Sequence, residues 1–327
     1  MSRTPSLPIA LLRYVDLLAF SSHSSASRRR FESATGVAVP RSGIETLEIL
    51  ANSPLTGSEL AATLRVDLTQ SSRQVARLVR EGLVVKERAP DDGRRIVHFL
   101  TDYGLQVVLR WQRSWLTEMR RPLDTWADQE VNAFADWIEC AVDRVRRTLP
   151  APTGAEPDVT EQNGTRIAIS EIAGNPVEAR CLSAIADFVY LIGRADFDAA
   201  LAKARVALSP SQYFILQDIG WFGPTSVSDV VSRLAVDQAA ASRTISFLES
   251  ENLVLRTNEG TDGRSRPVET TTSGACMLAR IRTSRLDSLR ALFADIDKDL
   301  AQRYAGLTDQ YLDDILSTAD MTAVRYG

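Results

Sequence analysis

Apolar residues recur at helical spacing along most of the chain. Between residue 8 and about residue 34, five of them form one stripe of a predicted helix: Leu11, Leu12, Val15, Leu18 and Ala19. Pro40 opens a second predicted helix, which ends near Asn52. Thr56 is placed to cap a short third helix that runs to Leu64.

A fourth helix and two strands follow. Asp67 caps this helix, which is predicted over Thr69 to Glu81 and ended by Gly82. Residues 83–88 and 95–100 are rich in apolar and β-branched residues and predict two strands. The segment between the strands contains proline, aspartate and glycine, which is typical of a turn.

Two long helices complete this segment, and the order of elements then repeats. Thr101 caps a helix to about Arg121, and a last helix runs from about Asp128 to Arg147. Residues 40–104 align without a gap to residues 210–274, at a constant offset of 170, and eighteen positions are identical. A period this long indicates a duplicated domain rather than a solenoid. Two copies in one chain are a covalent version of a two-fold dimer.

The second copy begins near Pro176. Its predicted strands are 253–258 and 266–270, and Pro267 interrupts the second, so we expect a shorter hairpin. Residues 149–176 are rich in Pro, Gly, Thr and Asn and predict a partly flexible linker, with residues 165–169 (TRIAI) as a candidate short strand. The predicted domains are therefore 1–148 and 177–327.

Composition narrows the class of protein. The net charge of −4 over 327 residues means that any surface for nucleic acid must be local. No apolar run approaches the ~18 residues of a membrane helix, and Arg13 and Asp16 interrupt the N-terminal apolar patch, which argues against a signal peptide. Three widely spaced cysteines and two histidines favour a reducing cytoplasm, with no disulfide framework and no metal or cofactor site.

Three short helices followed by a two-stranded hairpin with a basic tip predict a winged helix-turn-helix in each copy. A helix of about 12 residues fits the major groove of DNA and turns its first residues toward the base edges. The flanking helix and the wing contact phosphates, and an arginine at the wing tip can enter the minor groove. The pattern therefore favours recognition of double-stranded DNA.

The segments that carry this pattern resemble the MarR family of bacterial transcription regulators. They are VDLTQSSRQVARLVREGLV (66–84) with APDDGRRIVHFLTDYG (89–104), and VDQAAASRTISFLESENLV (236–254) with EGTDGRSRPVETTTSG (259–274). The resemblance implies that the terminal helices of both copies interlock as a dimerisation lobe within one polypeptide. The implied fold is mainly α with small β-hairpin wings (α+β), as two winged helix-turn-helix domains joined in a pseudo-two-fold single-chain dimer.

Candidate DNA contacts lie on the recognition helix and wing of each copy. In the first copy they are Thr69, Gln70, Ser72, Arg73, Arg77, Arg94 and Arg95. In the second copy they are Ser242, Arg243, Arg264 and Arg266. For Arg94 the resemblance also implies an alternative to DNA contact, which is an ion pair with Asp92 of the same turn.

The second copy is expected to bind DNA more weakly. Residues 65–95 contain eight basic and five acidic residues, whereas residues 235–266 contain four basic and five acidic ones. Thr69 and Gln70 are replaced by two alanines, and Arg77 by Phe247. Affinity for DNA comes largely from basic residues that neutralise phosphates, so the less basic copy is expected to have the lower affinity.

The resemblance also implies a crevice that binds a small aromatic or amphipathic effector. Its candidate wall residues are Tyr14, Trp111, Trp115, Tyr190, Tyr213, Trp221 and Phe222, and the alternative is that these aromatics form the core. Cys181 lies about a helical turn from the reactive cysteine of peroxide-sensing relatives, with only Arg180 as a nearby cation. We expect it to be a buried structural cysteine.

These features predict a cytoplasmic, ligand-responsive transcription regulator that acts as a single-chain pseudo-dimer. The rival is a sensor or protein-binding adaptor whose second winged domain has lost DNA binding. An enzyme is disfavoured, because the sequence has no nucleotide-binding loop, no metal-ligand spacing and no Ser-His-Asp order.

Overall fold

The computed structural model describes residues 5–64, 66–88, 95–148, 163–234, 236–257 and 266–318. The chain forms two compact units. The small unit is Ser27–Asp124 with Pro150–Ser183, and the large unit is Met1–Ala26, Thr125–Leu149 and Ala184–Gly327. In these described ranges, no helix has both the length and the apolar character that crossing a bilayer requires.

The elements of the first copy follow the predicted order. They are α1 (Leu7–His23), α2 (Ser25–Thr35), α3 (Arg41–Asn52), β1 (Leu55–Thr56), α4 (Gly57–Leu64), α5 (Leu68–Arg80), β2 (Val84–Arg88), β3 (Ile96–Leu100), α6 (Asp102–Arg120), a 3₁₀ turn (Arg121–Thr125) and α7 (Asp128–Thr148). A further helix, α8 (Asn163–Ile172), lies between the copies.

The second copy repeats this order, except that one long helix stands in place of α1 and α2 and, in its described residues, an isolated bridge stands in place of β1. Its elements are α9 (Pro176–Lys203), α10 (Pro210–Phe222), α11 (Val227–Leu234), α12 (Gln238–Ser250), β4 (Val254–Arg256), β5 (Val268–Thr270), α13 (Thr272–Leu292) and α14 (Lys298–Thr318). The predicted class, mainly α with two small hairpin wings, is confirmed.

The small unit is a winged helix built on one apolar core. Its sheet is antiparallel in the order β1-β3-β2, with Val84 opposite Leu100 and Leu55 opposite His98. The core side chains come from α3, α4, α5 and α6 and include Ile44, Leu47, Leu60, Val75, Leu78, Val107 and Trp111. Since α5 buries one face in this core, its opposite face is left to solvent.

The large unit contains the second winged helix, and its wing is shorter, as predicted from Pro267. Strands β4 and β5 pair over three residues each, against five each in β2 and β3. Pro267 lies just outside the ladder, where its carbonyl accepts a hydrogen bond from the Thr257 amide at 2.8 Å. Thr225 makes an isolated bridge to Val268 where the first copy has the strand β1.

The large unit also brings together terminal helices of both copies. Helix α1 of the first copy packs against α13 and α14 of the second, and α7 packs against α14. The indole nitrogen of Trp137 donates to the Thr308 hydroxyl at 2.9 Å, and that of Trp126 to Asp314 at 2.9 Å. Arg285 on α13 forms an ion pair with Asp16 on α1. Helices that are far apart in sequence are thus joined by buried contacts inside one polypeptide.

Two sequence predictions differ from the structure. The predicted helix over residues 8–34 is broken at Ser24, whose backbone is extended. Near the break, the side chains of Ser22 and His23 bond to the carbonyl of Ala19, and such local bonds compete with helix continuation.

The second difference lies between the copies. The TRIAI segment, residues 165–169, belongs to the helix α8 and not to a strand. Ala168 and Ile169 are buried, and α8 packs against α6. Arg113 of α6 pairs with Glu171 at 2.6 Å. Burial of one side of the segment against α6 therefore overrides its apparent strand pattern. Residues 149–162 of the predicted linker lie outside the described residues.

Candidate nucleic-acid interface

The first recognition helix, α5, is fixed at both ends. A side-chain oxygen of Asp67 accepts a hydrogen bond from the Gln70 amide at 2.8 Å, which caps the first turn. The helix ends at Glu81, and Gly82 follows with a φ of 70°. That left-handed conformation suits glycine, which has no Cβ.

The second recognition helix, α12, has the same geometry. Asp237 accepts from the Ala240 amide at 2.8 Å. Asn252, at the position equivalent to Gly82, also has a positive φ, of 56°. Asparagine is one of the few residues with a side chain that tolerate this conformation. The two recognition helices are therefore structurally equivalent, residue by residue.

The T-x-x-G segment after each wing joins the recognition helix to the next long helix. The Thr101 hydroxyl accepts from the Gly104 amide at 2.9 Å and donates to the Gly82 carbonyl at 2.7 Å. A Cβ at Gly104 would lie 2.1 Å from the Leu83 carbonyl oxygen, so only glycine fits this contact. Thr271 and Gly274 repeat both features in the second copy.

The five candidate residues on α5 lie together on its solvent face. They are Thr69, Gln70, Ser72, Arg73 and Arg77, all exposed. Arg77 also donates to the Ala38 carbonyl at 3.2 Å, so it helps to hold the segment before α3. On α12, Arg243 is exposed and Ser242 is half-buried.

The wing candidates are described in part. Arg94, Arg264 and Asp92 lie outside the described residues, so their predicted roles stay predictions. Arg95 and Arg266 are exposed. Arg95 forms an ion pair with Glu59 of α4 at 3.3 Å. Hydrogen bonds from the backbone and side chain of Thr56 hold the pKa of Glu59 below its usual value, with Arg95 a smaller contributor.

The two copies differ in the basic residues that their recognition helices expose, and α12 forms an ion pair with its wing. Helix α5 exposes three arginines, at positions 73, 77 and 80. Helix α12, described over its whole length of Gln238–Ser250, has Arg243 as its single basic residue. Its Glu249 forms an ion pair with Arg256 of β4 at 3.1 Å, at the position where the first copy has Lys86. In the second copy an acidic partner therefore offsets the positive charge of Arg256.

The helices that support the recognition helices are held differently in the two copies. In the first copy, Glu48 accepts from the Trp111 indole at 2.8 Å. In the second, the fully buried Asp218 accepts two hydrogen bonds from Arg233, at 2.6 and 2.8 Å. Burial raises the pKa of Asp218, and the guanidinium of Arg233 opposes that shift. Sequence reasoning missed this pair, although an aspartate inside the apolar helix 210–222 was a usable signal.

Arg233 is itself held from three sides. Besides Asp218, it donates to the Thr225 hydroxyl at 2.8 Å, and its guanidinium lies over the Phe222 ring at 4.7 Å. These contacts tie α11 to α10 directly behind the second recognition helix.

The aromatic effector candidates divide into two groups. Tyr14, Trp111 and Tyr213 are buried, which agrees with the alternative that they form the core. Trp115, Tyr190, Trp221 and Phe222 are half-buried. Tyr14 stacks on Phe188, with ring centroids 5.6 Å apart. Cys181 is fully buried.

Two helix-turn-helix units, each followed by a hairpin wing, define this chain as a tandem winged-helix protein. Models of the MarR family match residues 39–95 and residues 208–265, which contain the helix-turn-helix and the first wing strand of each copy. The chain therefore has a tandem MarR-like arrangement, as the sequence patterns predicted.

One curated relative is an uncharacterised HTH-type transcriptional regulator, YxaD, of Bacillus subtilis (strain 168). It is 29% identical over 86 residues, which cover 26% of this chain and 60% of the relative. The alignment thus spans less than two thirds of that protein and concerns one part of the present chain.

Proposed function

We propose that the protein is a sequence-specific DNA-binding transcription regulator that acts on a near-palindromic operator as a single-chain pseudo-dimer. The observation that carries the proposal is the solvent face of α5. This face presents Arg73 and Arg77 with small polar residues, on a capped helix that is followed directly by a wing. Such a helix provides base contacts from its first turns and phosphate contacts from its arginines. The two domains proposed for this task are residues 1–148 and 177–327.

The regulatory part of the proposal is repression that a small molecule relieves. In the large unit, the half-buried aromatic residues Tyr190, Trp221 and Phe222 supply surfaces for an aromatic or amphipathic ligand, and Trp115 is the half-buried candidate of the small unit. A ligand that binds one arrangement of the protein more tightly shifts the population toward it. Release of DNA follows if that arrangement is the one with lower affinity for the operator.

The second candidate function is a sensor or adaptor in which the second winged domain no longer binds DNA. Residues 235–266 of that domain carry four basic and five acidic residues, and this lack of net positive charge favours the adaptor role, together with the pairing of Arg256 with Glu249. The two candidates differ in whether residues of α12 contribute to DNA affinity.

A matched pair of variants tests both candidates. Arg73→Ala should weaken binding to a duplex selected by the full chain from a randomised library, by about 1–3 kcal/mol. Arg243→Ala, at the equivalent position of α12, should cost less, because fewer cations surround it. Arg73 is the better choice than Arg77, since Arg77 also bonds to the Ala38 carbonyl.

The measurement is fluorescence anisotropy at several salt concentrations, with the unfolding temperature of each variant as the control. A loss of affinity with Arg73→Ala and none with Arg243→Ala supports the adaptor role of the second domain. No enrichment of any duplex by the full chain would contradict DNA recognition altogether.

Assembly gives a separate prediction. Because α1, α7, α13 and α14 pack within one unit of one chain, we expect a folded species with the mass of one chain, 36.0 kDa, at low concentration. Light scattering coupled to size-exclusion chromatography checks this. A folded species found only at twice that mass would mean that helices are exchanged between chains.

A further inference from the structure

Leu68 is an exposed apolar side chain at the start of the first recognition helix. It is the first residue of α5, and 56% of its surface is accessible to solvent. Of the other large apolar residues of this helix, Val75 and Leu78 are buried in the core and Val79 is half-buried against it. An exposed leucine gains nothing for folding from the part of its surface that stays in water.

The Leu68 side chain lies near the start of α4. Its Cδ1 atom is 3.7 Å from the position that a Cβ at Gly57 would occupy. The remaining surface faces solvent at the end of the helix that would enter the major groove first. Leu68 is therefore exposed at this end of α5, beside the first turn of α4.

Gln238 occupies the same position on the second recognition helix. Helices α5 and α12 both contain 13 residues, and both begin directly after an aspartate cap. The cap residues have nearly equal backbone angles, with φ and ψ of −69° and 157° for Asp67 and −77° and 152° for Asp237. Gln238 is exposed. The two helices thus present different chemistry from one geometric position.

We propose that Leu68 and Gln238 determine specificity at equivalent positions of the two half-sites, with Leu68 contacting the 5-methyl group of a thymine and Gln238 the N6/N7 edge of an adenine. The inference rests on the proposed DNA-binding function. In the major groove, thymine alone presents a methyl group, which an apolar side chain can contact. Glutamine forms two hydrogen bonds with adenine, whose N6 donates and whose N7 accepts. The operator should therefore depart from a perfect palindrome at this base pair.

Modified bases test the proposal atom by atom. The full chain first selects duplexes from a library with a randomised centre. In an enriched duplex, each thymine is then replaced singly by deoxyuridine, which removes only the methyl group. At one thymine the affinity of the wild-type chain should fall by about fourfold, the value for one buried methyl group. The Leu68→Ala chain should be insensitive to that same replacement.

The other half-site is tested with 7-deazaadenine, which lacks the N7 acceptor. At one adenine this base should weaken binding of the wild-type chain about fivefold, the value for one hydrogen bond. The Gln238→Ala chain should not respond. The exchange variant with Leu68→Gln and Gln238→Leu should reverse the two base preferences. It serves as a control because neither helix loses its first side chain to truncation.

The outcomes are distinguishable. If no duplex is enriched, both the proposed function and this inference are overturned. If a duplex is enriched and Arg73→Ala weakens its binding, but every deoxyuridine effect is the same for the wild-type chain and the Leu68→Ala chain, the inference alone is overturned. The inference is also overturned if the exchange chain selects, at each of the two half-site positions, the same base as the wild-type chain.

Discussion

Replacing Asp218 by alanine should lower the free energy of unfolding of the large unit by about 3–5 kcal/mol. The carboxylate is fully buried and binds Arg233 through two hydrogen bonds, so its removal leaves a cation between α10 and α11 without its counter-charge. Denaturant unfolding followed by circular dichroism measures the loss. The matched change in the first copy, Glu48→Ala, removes one hydrogen bond from the Trp111 indole and should cost about 1–2 kcal/mol.

A double variant tests whether the unbalanced charge of Arg233 causes the loss of stability in Asp218→Ala. Asp218→Leu combined with Arg233→Met removes both charges and keeps apolar volume, and it should recover most of the stability lost in Asp218→Ala. If the double variant is as unstable as the single one, the unbalanced buried charge is not the reason for the loss.

Arg285→Ala should destabilise the large unit by about 3 kcal/mol or more. Arg285 is 5% accessible and pairs with Asp16, so the change leaves a nearly buried carboxylate on α1. Because the pair joins the first copy to the second, the loss measures how strongly the two copies hold each other within the chain.

A variant on the same helix serves as the control. Arg290 pairs with Asp287 on the surface of α13, and Arg290→Ala should cost less than about 1 kcal/mol. Similar losses from Arg285→Ala and Arg290→Ala would show that the pair between α1 and α13 contributes no more than a surface contact.

The order of elements was predictable because the strongest signals are local. Asp67 and Thr101 cap helices as predicted, and Pro267 shortens the second wing as predicted. Each of these effects depends on a few neighbouring residues, which sequence alone reveals. The repeat added a second test of each assignment, since the same cap recurs at Asp237.

The features that sequence could not predict depend on long-range packing. Helix α8 forms because Ala168 and Ile169 are buried against α6, a partner far away along the chain. The pairing of Asp218 with Arg233 requires knowing how α10 and α11 pack. The exposure of Leu68 is not evident from sequence, because leucine is among the residue types most often buried, and only the surface of the folded unit shows that this one is not.

The different supports behind the two recognition helices have an evolutionary consequence. In a dimer of identical chains, one codon change alters both DNA-binding domains at once, so both half-sites of the operator must change to match. Here the Asp218–Arg233 pair lies in the second winged helix and the Glu48–Trp111 hydrogen bond in the first, and each is encoded once. A single substitution therefore alters one winged helix and leaves the other unchanged. Under the proposed function, such a chain can acquire a new target sequence one half-site at a time.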